Sequence, residues 1–320
     1  MKATSLLAAL LLAAPLLTGC LSFHTGAMEG EPKTARFASV EGARVRYVDV
    51  GQGPPVVLIH GFASSLETWD FLIPELSKTH RVLALDLKGF GWTDRPEGDY
   101  SPPAQAKIVL ALMKERGIEK AAIVGHSWGS SVTLALALAA PEKVSRIALY
   151  DAWVYEEQIP MFFVMARADA VGEALFSIFY TERPDERLAL AFYNKDFLTE
   201  KLAEDVERSV ERPGTVAAAL AAVRGQDYTE VQKRYRTIKH PTLLLWGKDD
   251  VVTTVPFAER LNRDLPKSRL VIYPRCGHFP MFEAKDASND ELIHFLEEPE
   301  KTTTPTPAPT VADPERKPSP

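Results

Sequence analysis

Ile123-Val124-Gly125-His126-Ser127-Trp128-Gly129 is the stretch on which the reading of this chain depends. Residues 121–124 are apolar and suit a buried parallel strand, while residues 132–140, Val-Thr-Leu-Ala-Leu-Ala-Leu-Ala-Ala, suit a buried helix of strong formers. Strand, turn and helix therefore stand in the order of a nucleophile elbow, with Ser127 at its apex. A turn this sharp strains the serine's backbone and brings strand and helix close together, so small residues are needed two before and two after it. Gly125 and Gly129 supply both.

Outward from the elbow, the chain alternates. Residues 36–40 and 44–50 alternate like a half-exposed antiparallel pair with Glu41-Gly42 as the turn. Residues 55–59, 81–86, 146–150, 242–246 and 269–273 read as further buried strands, with helical sequence between them at 66–76 and 104–116. Alternating strand and helix predicts an α/β fold, a mostly parallel twisted sheet covered by helices on both faces. Gly51-Gln52-Gly53 is too short for a dinucleotide fingerprint and precedes a strand, so it is a turn.

One interval breaks the alternation. Residues 152–236 carry helical pattern and no convincing strand, and Pro160, Pro184 and Pro213-Gly214 divide them into several helices. A helical insertion between two parallel strands sits at their carboxyl ends, where such sheets bind ligands, and so predicts a cap. Its many aromatics, Trp153, Tyr155, Phe162, Phe163 and Phe176 among them, read first as the cap's own small core. Any that face the cleft favour an apolar acyl or aromatic substrate.

The two ends fall outside this domain, which spans residues 36–298. Lys2 is followed by an apolar run at 6–17, too short to span a bilayer, which reads as a secretory signal over residues 1–19. Leu17-Thr18-Gly19-Cys20 resembles the lipobox of bacterial lipoproteins, which implies a lipidated Cys20 as the first mature residue. Two or more acyl chains give lasting anchorage, so the expectation is a protein held on the bacterial cell envelope, anchored and not spanning. Residues 20–35, polar and without periodicity, read as a tether. Residues 299–320, rich in proline and threonine, read as a disordered tail. Of two cysteines, Cys276 then has no partner, and no disulfide framework is expected. A net charge of −6, without basic clusters interleaved with aromatics, argues against nucleic acid as a partner.

A serine hydroxyl is a poor nucleophile until an imidazole takes its proton and a carboxylate holds that imidazole in the right tautomer. Among seven histidines, His278 stands out, in Arg275-Cys276-Gly277-His278-Phe279 just after the last strand, where a loop can return it to Ser127. The acid is more open, because Trp246-Gly247-Lys248-Asp249-Asp250 offers two carboxylates and Asp151 lies at the tip of the strand after the elbow helix.

Through His60-Gly61-Phe62, the stretch from Asp86 to Gly91, the Ser127 elbow, Gly247 followed by Asp250, and Gly277-His278, the sequence resembles the α/β-hydrolase fold superfamily. The resemblance favours Asp250 as the acid, three positions after the glycine, with Asp249 and Asp151 as alternatives. It implies backbone N–H groups of Phe62 and Trp128 as oxyanion donors. Ser127 stands where dehalogenases and epoxide hydrolases of this superfamily carry aspartate, and the oxyanion loop lacks the Gly-Gly-Pro-Gly run of its aminopeptidases. What remains is a serine esterase acting on a small-molecule ester. Carbon-carbon hydrolases and cofactor-free haloperoxidases share the same triad, and a non-catalytic binding lipoprotein is the alternative of another class. No metal cluster or cofactor fingerprint stands in the sequence, and the chemistry calls for no cofactor.

Overall fold

In the computed structural model, which describes residues 21–299 and 310–311, alternation along the strands divides the core in two. The strands are β1 (Arg36–Val40), β2 (Ala43–Val50), β3 (Pro55–Ile59), β4 (Arg81–Leu85), β5 (Ala121–His126), β6 (Val144–Tyr150), β7 (Thr242–Gly247) and β8 (Ser268–Tyr273). They form one sheet in the order β1-β2-β4-β3-β5-β6-β7-β8, antiparallel at β1-β2 and β2-β4 and parallel from there on. Glu41 and Gly42 both take positive φ, 49° and 75°, as a tight hairpin with the right-handed twist of its strands requires.

Side chains at alternate positions point to opposite faces. Val57, Ile59, Ile123, Ile147, Leu149 and Leu244 enter one core, and Val56, Leu58, Val124, Ala148, Leu243 and Leu245 enter the other. Helices cover each. After the short α1 (Ile73–Leu76) come α2 (Pro102–Glu115) and α3 (Trp128–Ala139), both on the first face. Between β6 and β7 lie only helical segments and turns, with α4 (Met161–Ala166), α5 (Val171–Phe179), α6 (Pro184–Ala191), α7 (Glu200–Glu211) and α8 (Thr215–Arg224). They build a third core of their own around Phe176, Tyr180, Val210 and Leu220. Past β7, α9 (Val255–Asp264) returns to the first face, while α10 (Pro280–Glu283) and α11 (Lys285–Glu297) join α1 on the second.

Three expectations need correction. The helix expected over 66–76 is broken into a 3-10 turn, Leu66–Trp69, and α1, because Pro74 favours a fresh helix start at this point. Residues 21–35 do not hang free. His24 and Arg95 exchange backbone hydrogen bonds, the Gly26 N–H donates to Asp94, and Arg44 donates to Glu31. Backbone groups of His24 and Gly26 and the side chain of Glu31 fasten it. In the tail, Thr310–Val311 adds a two-residue β9 in parallel to β8. The signal segment 1–19, Cys20 and the rest of the tail lie outside the described residues. Among the described residues no helix is long and apolar enough to cross a membrane.

Candidate active site

Ser127 sits between β5 and α3 with φ 50° and ψ −123°, a left-handed backbone that a non-glycine residue adopts only where its surroundings enforce it. Those surroundings are explicit: the Ser127 N–H donates to the Tyr150 carbonyl at 2.9 Å, and its carbonyl accepts from Trp153 at 3.1 Å. The flanking glycines are both required. A Cβ on Gly125 would lie 2.5 Å from Thr133 Oγ1, and one on Gly129 would lie 2.5 Å from the Ile59 carbonyl and overlap that of His60. Strand β3, the elbow and α3 therefore pass at backbone contact, leaving Ser127 at the carboxyl edge of the sheet.

Asp250 and His278 meet beside it. Asp250 Oδ2 lies 2.8 Å from His278 Nδ1 and accepts from Thr253 Oγ1 at 2.6 Å, while Oδ1 accepts from the N–H groups of Val252 and Thr253 at 2.7 and 3.1 Å. Burial opposes the ionised form of Asp250, but the adjoining imidazole and these donors outweigh it and hold the carboxyl well below the usual carboxylate range. Both side chains are buried. Among the hydrogen bonds of the described residues none joins His278 to Ser127 Oγ, a contact that commonly tightens only with substrate. The rival acids separate cleanly. Asp249 is exposed, outside the cluster. Asp151 is buried, and its carboxylate, that of Asp250 and the His278 ring bring ligand-type atoms within 4.8 Å of one another. The 2.8 Å separation of Nδ1 and Oδ2 is that of a hydrogen bond, so His278 and Asp250 already satisfy each other.

The loop after β3 approaches from the other side. A Cβ on Gly61 would lie 3.1 Å from that of Ser127, which brings the start of this loop against the elbow. His60, fully buried, fixes the loop: its Nδ1 pairs with the Gly61 carbonyl at 2.7 Å and its Nε2 accepts the Leu87 N–H at 2.9 Å. Accepting at one nitrogen and donating at the other requires the neutral ring, which burial favours. Asp86, also fully buried, accepts the N–H groups of Leu66 and Trp92 at 2.8 Å each. The N–H groups of Phe62 and Trp128 donate to no protein acceptor among the described residues. Both stand next to residues that touch the elbow.

Sequence reasoning passed over His60 as a functional brace and His126 altogether. His126 occupies the first variable position of the Gly-x-Ser-x-Gly pattern, lies with its ring centroid 4.9 Å from that of His278, and pairs its Nε2 with the His278 carbonyl at 2.9 Å. Burial and the neighbouring His278 push its pKa down to about 3, so it stays neutral and its Nε2–H supports the loop that carries His278. No residue-level signal marks such a role; it follows only from where the loop after β8 returns. The cap aromatics divide. Phe176 and Tyr180 stack on each other in the cap's core, while Phe163 reaches Phe62 at 5.4 Å and Trp153 at 6.3 Å. Phe62 in turn meets Phe90 and Trp128, so a run of ring contacts links the cap to the residue after Ser127.

Known proteins share this fold. Residues 54–285 match the family model described as alpha/beta hydrolase fold. An uncharacterized protein of Mycobacterium tuberculosis is 30% identical over 279 residues, covering 83% of this chain and 82% of its own. The 2-hydroxy-6-oxo-2,4-heptadienoate hydrolase of Pseudomonas putida is 30% identical over 261 residues, 78% of this chain and 91% of that protein. Among solved structures, a meta-cleavage product hydrolase from Pseudomonas fluorescens superposes with a TM-score of 0.72 at 28% identity, over 82% of this chain and 97% of that one. With the family model spanning most of the sheet, the elbow and the His278 loop, the chain belongs to the α/β-hydrolase fold family and is a hydrolase.

Proposed function

We propose that this hydrolase cleaves carboxylic esters with an apolar acyl or aromatic part, through an acyl-enzyme on Ser127. The observation that carries the reading is the buried Asp250-His278 pair, joined at 2.8 Å, beside a serine held at φ 50°. His278 Nε2 takes the Ser127 proton as Oγ attacks the carbonyl carbon, and Asp250 holds the Nδ1–H and stabilises the imidazolium. The oxyanion meets the unengaged N–H groups of Phe62 and Trp128, which is worth about 3 kcal/mol per donor in comparable sites. His278 then passes its proton to the leaving alcohol. Water, deprotonated by the same imidazole, releases the acid and restores Ser127.

The apolar surroundings that Phe62, Phe90, Trp128 and Phe163 build between the cap and the elbow favour an uncharged acyl group. The buried Arg95 is spent on the carbonyls of Thr93 and Gly91, on Thr215 and on the Met28 sulfur. A second reading, carbon-carbon hydrolysis of a vinylogous diketone on the same triad, draws support from the two relatives named for such chemistry. Nitrophenyl esters of graded acyl length, run beside a ring-fission dienoate on one preparation, separate the two. A fluorophosphonate should label the wild type and leave Ser127→Ala unlabelled; labelling that persists in the variant overturns the nucleophile. Folded protein that turns over neither substrate is instead a binding module. The proposal also places the enzyme on the bacterial envelope through lipid on Cys20.

A further inference from the structure

Helix α4 reads Met-Phe-Phe-Val-Met-Ala and is apolar at every position. A helix apolar on all sides belongs in a core or in lipid, yet this one is covered on one side only. Phe162 and Phe163 pack on the cap's core around Phe176. Met161, Val164 and Met165, at i, i+3 and i+4, form an outward stripe in which Met161 is 70% and Met165 50% exposed. The neighbouring α5 repeats the pattern, burying Phe176 while Val171, Ile178 and Phe179 face water. Each such side chain forgoes part of the burial it could have, and exposed apolar patches of this kind mark interaction sites.

The N-terminal segment says what covers this face. Leu21 packs against the cap's core and, with Phe23, Ala170 and Leu220, lines a cleft of about 680 Å³. Ala170 is the residue immediately before α5. From there the chain is pinned: Phe23 stacks on Tyr100 at 6.1 Å, and His24, Gly26 and Glu31 hold to Arg95, Asp94 and Arg44. Cys20 is one peptide step, ~3.8 Å between Cα atoms, from Leu21. A lipid on Cys20 therefore has no tether behind it and brings the membrane surface to the start of α5, where the exposed apolar face begins.

We propose that the outer face of α4 and α5, formed by Met161, Val164, Met165, Val171, Ile178 and Phe179, docks onto the lipid bilayer to which Cys20 anchors the chain. This rests on the lipidation of Cys20 proposed above. The apolar face then adds to the acyl chains on Cys20 a second hold on the interface, with the helices lying in its plane. The cap is turned toward the membrane, so the ester that reaches Ser127 approaches from the lipid side.

The full chain, expressed in a bacterium with its own N-terminus and reconstituted into phosphatidylglycerol–phosphatidylcholine vesicles with a photoactivatable phospholipid, tests this. Mass spectrometry of the N-terminal peptide reports lipid on Cys20 independently of docking. Crosslinks are expected within residues 161–179. The double variant Met161→Glu, Met165→Glu should keep its lipid and its hydrolysis of a water-soluble ester while losing crosslinks by about tenfold or more. Lipidated protein whose crosslinks fall elsewhere on the domain overturns the docking face and leaves the anchor standing. An unmodified Cys20 overturns the anchor, and the docking inference with it. A concentration-dependent dimer that shields residues 161–179 from the lipid probe shows a second copy on this face and overturns the bilayer as its occupant.

Discussion

The turns after β6 and β7 each carry a buried aspartate at the carboxyl end of a parallel strand, side by side, and the fold moves the pKa values of the two carboxyls in opposite directions. Asp250 receives four hydrogen bonds, from His278, from Thr253 twice and from Val252, and its carboxyl is held low. Among the described residues Asp151 receives one, from the Gly247 N–H, and its Oδ2 is buried without a donor. Burial and the charge of Asp250 raise it well above the usual carboxylate range. Position on the sheet is nearly the same for both, and so is burial. What differs is the supply of donors: the turn after β7 curls back so that two N–H groups and a hydroxyl point at the carboxylate, whereas the chain after Asp151, itself at φ 43°, leads away into the cap. Donor supply therefore decides which aspartate can hold His278 as an anion.

The largest effect on that comparison is expected from Asp250→Asn. The isosteric amide keeps the packing but presents an N–H or a neutral oxygen to His278, and the imidazole loses its fixed tautomer; turnover should fall on the order of ~10⁴, as in the best-studied serine triad. Steady-state kinetics on one ester, with circular dichroism to verify the fold, measures it. The same substitution alters acid stability. Because the folded-state pKa of Asp250 lies below the unfolded value of ~3.9, its contribution is complete above that value and is lost as pH falls toward the folded one, so the variant should show a flatter acid limb.

Gly247→Ala comes next, since Gly247 joins the two turns. Its N–H serves Asp151, and a Cβ there would overlap the Gly277 carbonyl and lie 2.6 Å from that of Cys276, both in the loop that carries His278. Backbone offers no rotamer by which to yield. The variant should lose about 1–3 kcal/mol or more in urea denaturation and part of its turnover, and a fully stable, fully active protein would show that the loop is not held where the structure has it.

The sequence was most legible where burial is uniform and least legible where one polar group meets another across the chain. Runs such as 55–59 and 242–246 stand out because parallel strands are covered on both faces, and structure changes their ends by at most a residue. The turn that carries Ser127 and the loop that carries His278 were legible because an elbow needs glycine at fixed spacing and because the last strand ends in a loop at the same edge of the sheet. The choice between Asp250 and Asp151 was not readable from the residues, since donors such as Thr253 are aimed only by the folded turn. His60 acts through hydrogen bonds with the Gly61 carbonyl and the Leu87 N–H, and His126 through one with the His278 carbonyl, and no spacing encodes any of them. Residues 21–35 were misread because their partners, Arg44, Asp94 and Arg95, lie far along the chain.

The smallest effect on rate, and one of opposite sign on stability, is expected from Asp151→Asn. Asn Oδ1 retains the Gly247 N–H, and Nδ2 replaces the oxygen that lacks a donor, next to the carboxylate of Asp250. For a carboxyl raised in the folded state the linkage runs opposite to that of Asp250. The folded protein binds the proton more tightly than the unfolded chain, so stability falls as pH rises from the unfolded value of ~3.9 toward the folded one. An amide has no such penalty. Melting temperatures of the two proteins should therefore approach each other near the unfolded value of ~3.9 and diverge, with the variant the more stable, as pH rises above it. Turnover should change by less than about tenfold, or about 1.4 kcal/mol at the transition state. A variant that melts lower at neutral pH would show that the Asp151 carboxylate is ionised and paired in the fold. If Asp151→Asn abolishes turnover while Asp250→Asn does not, the acid of the triad sits on β6, and the donors gathered around Asp250 serve the turn alone.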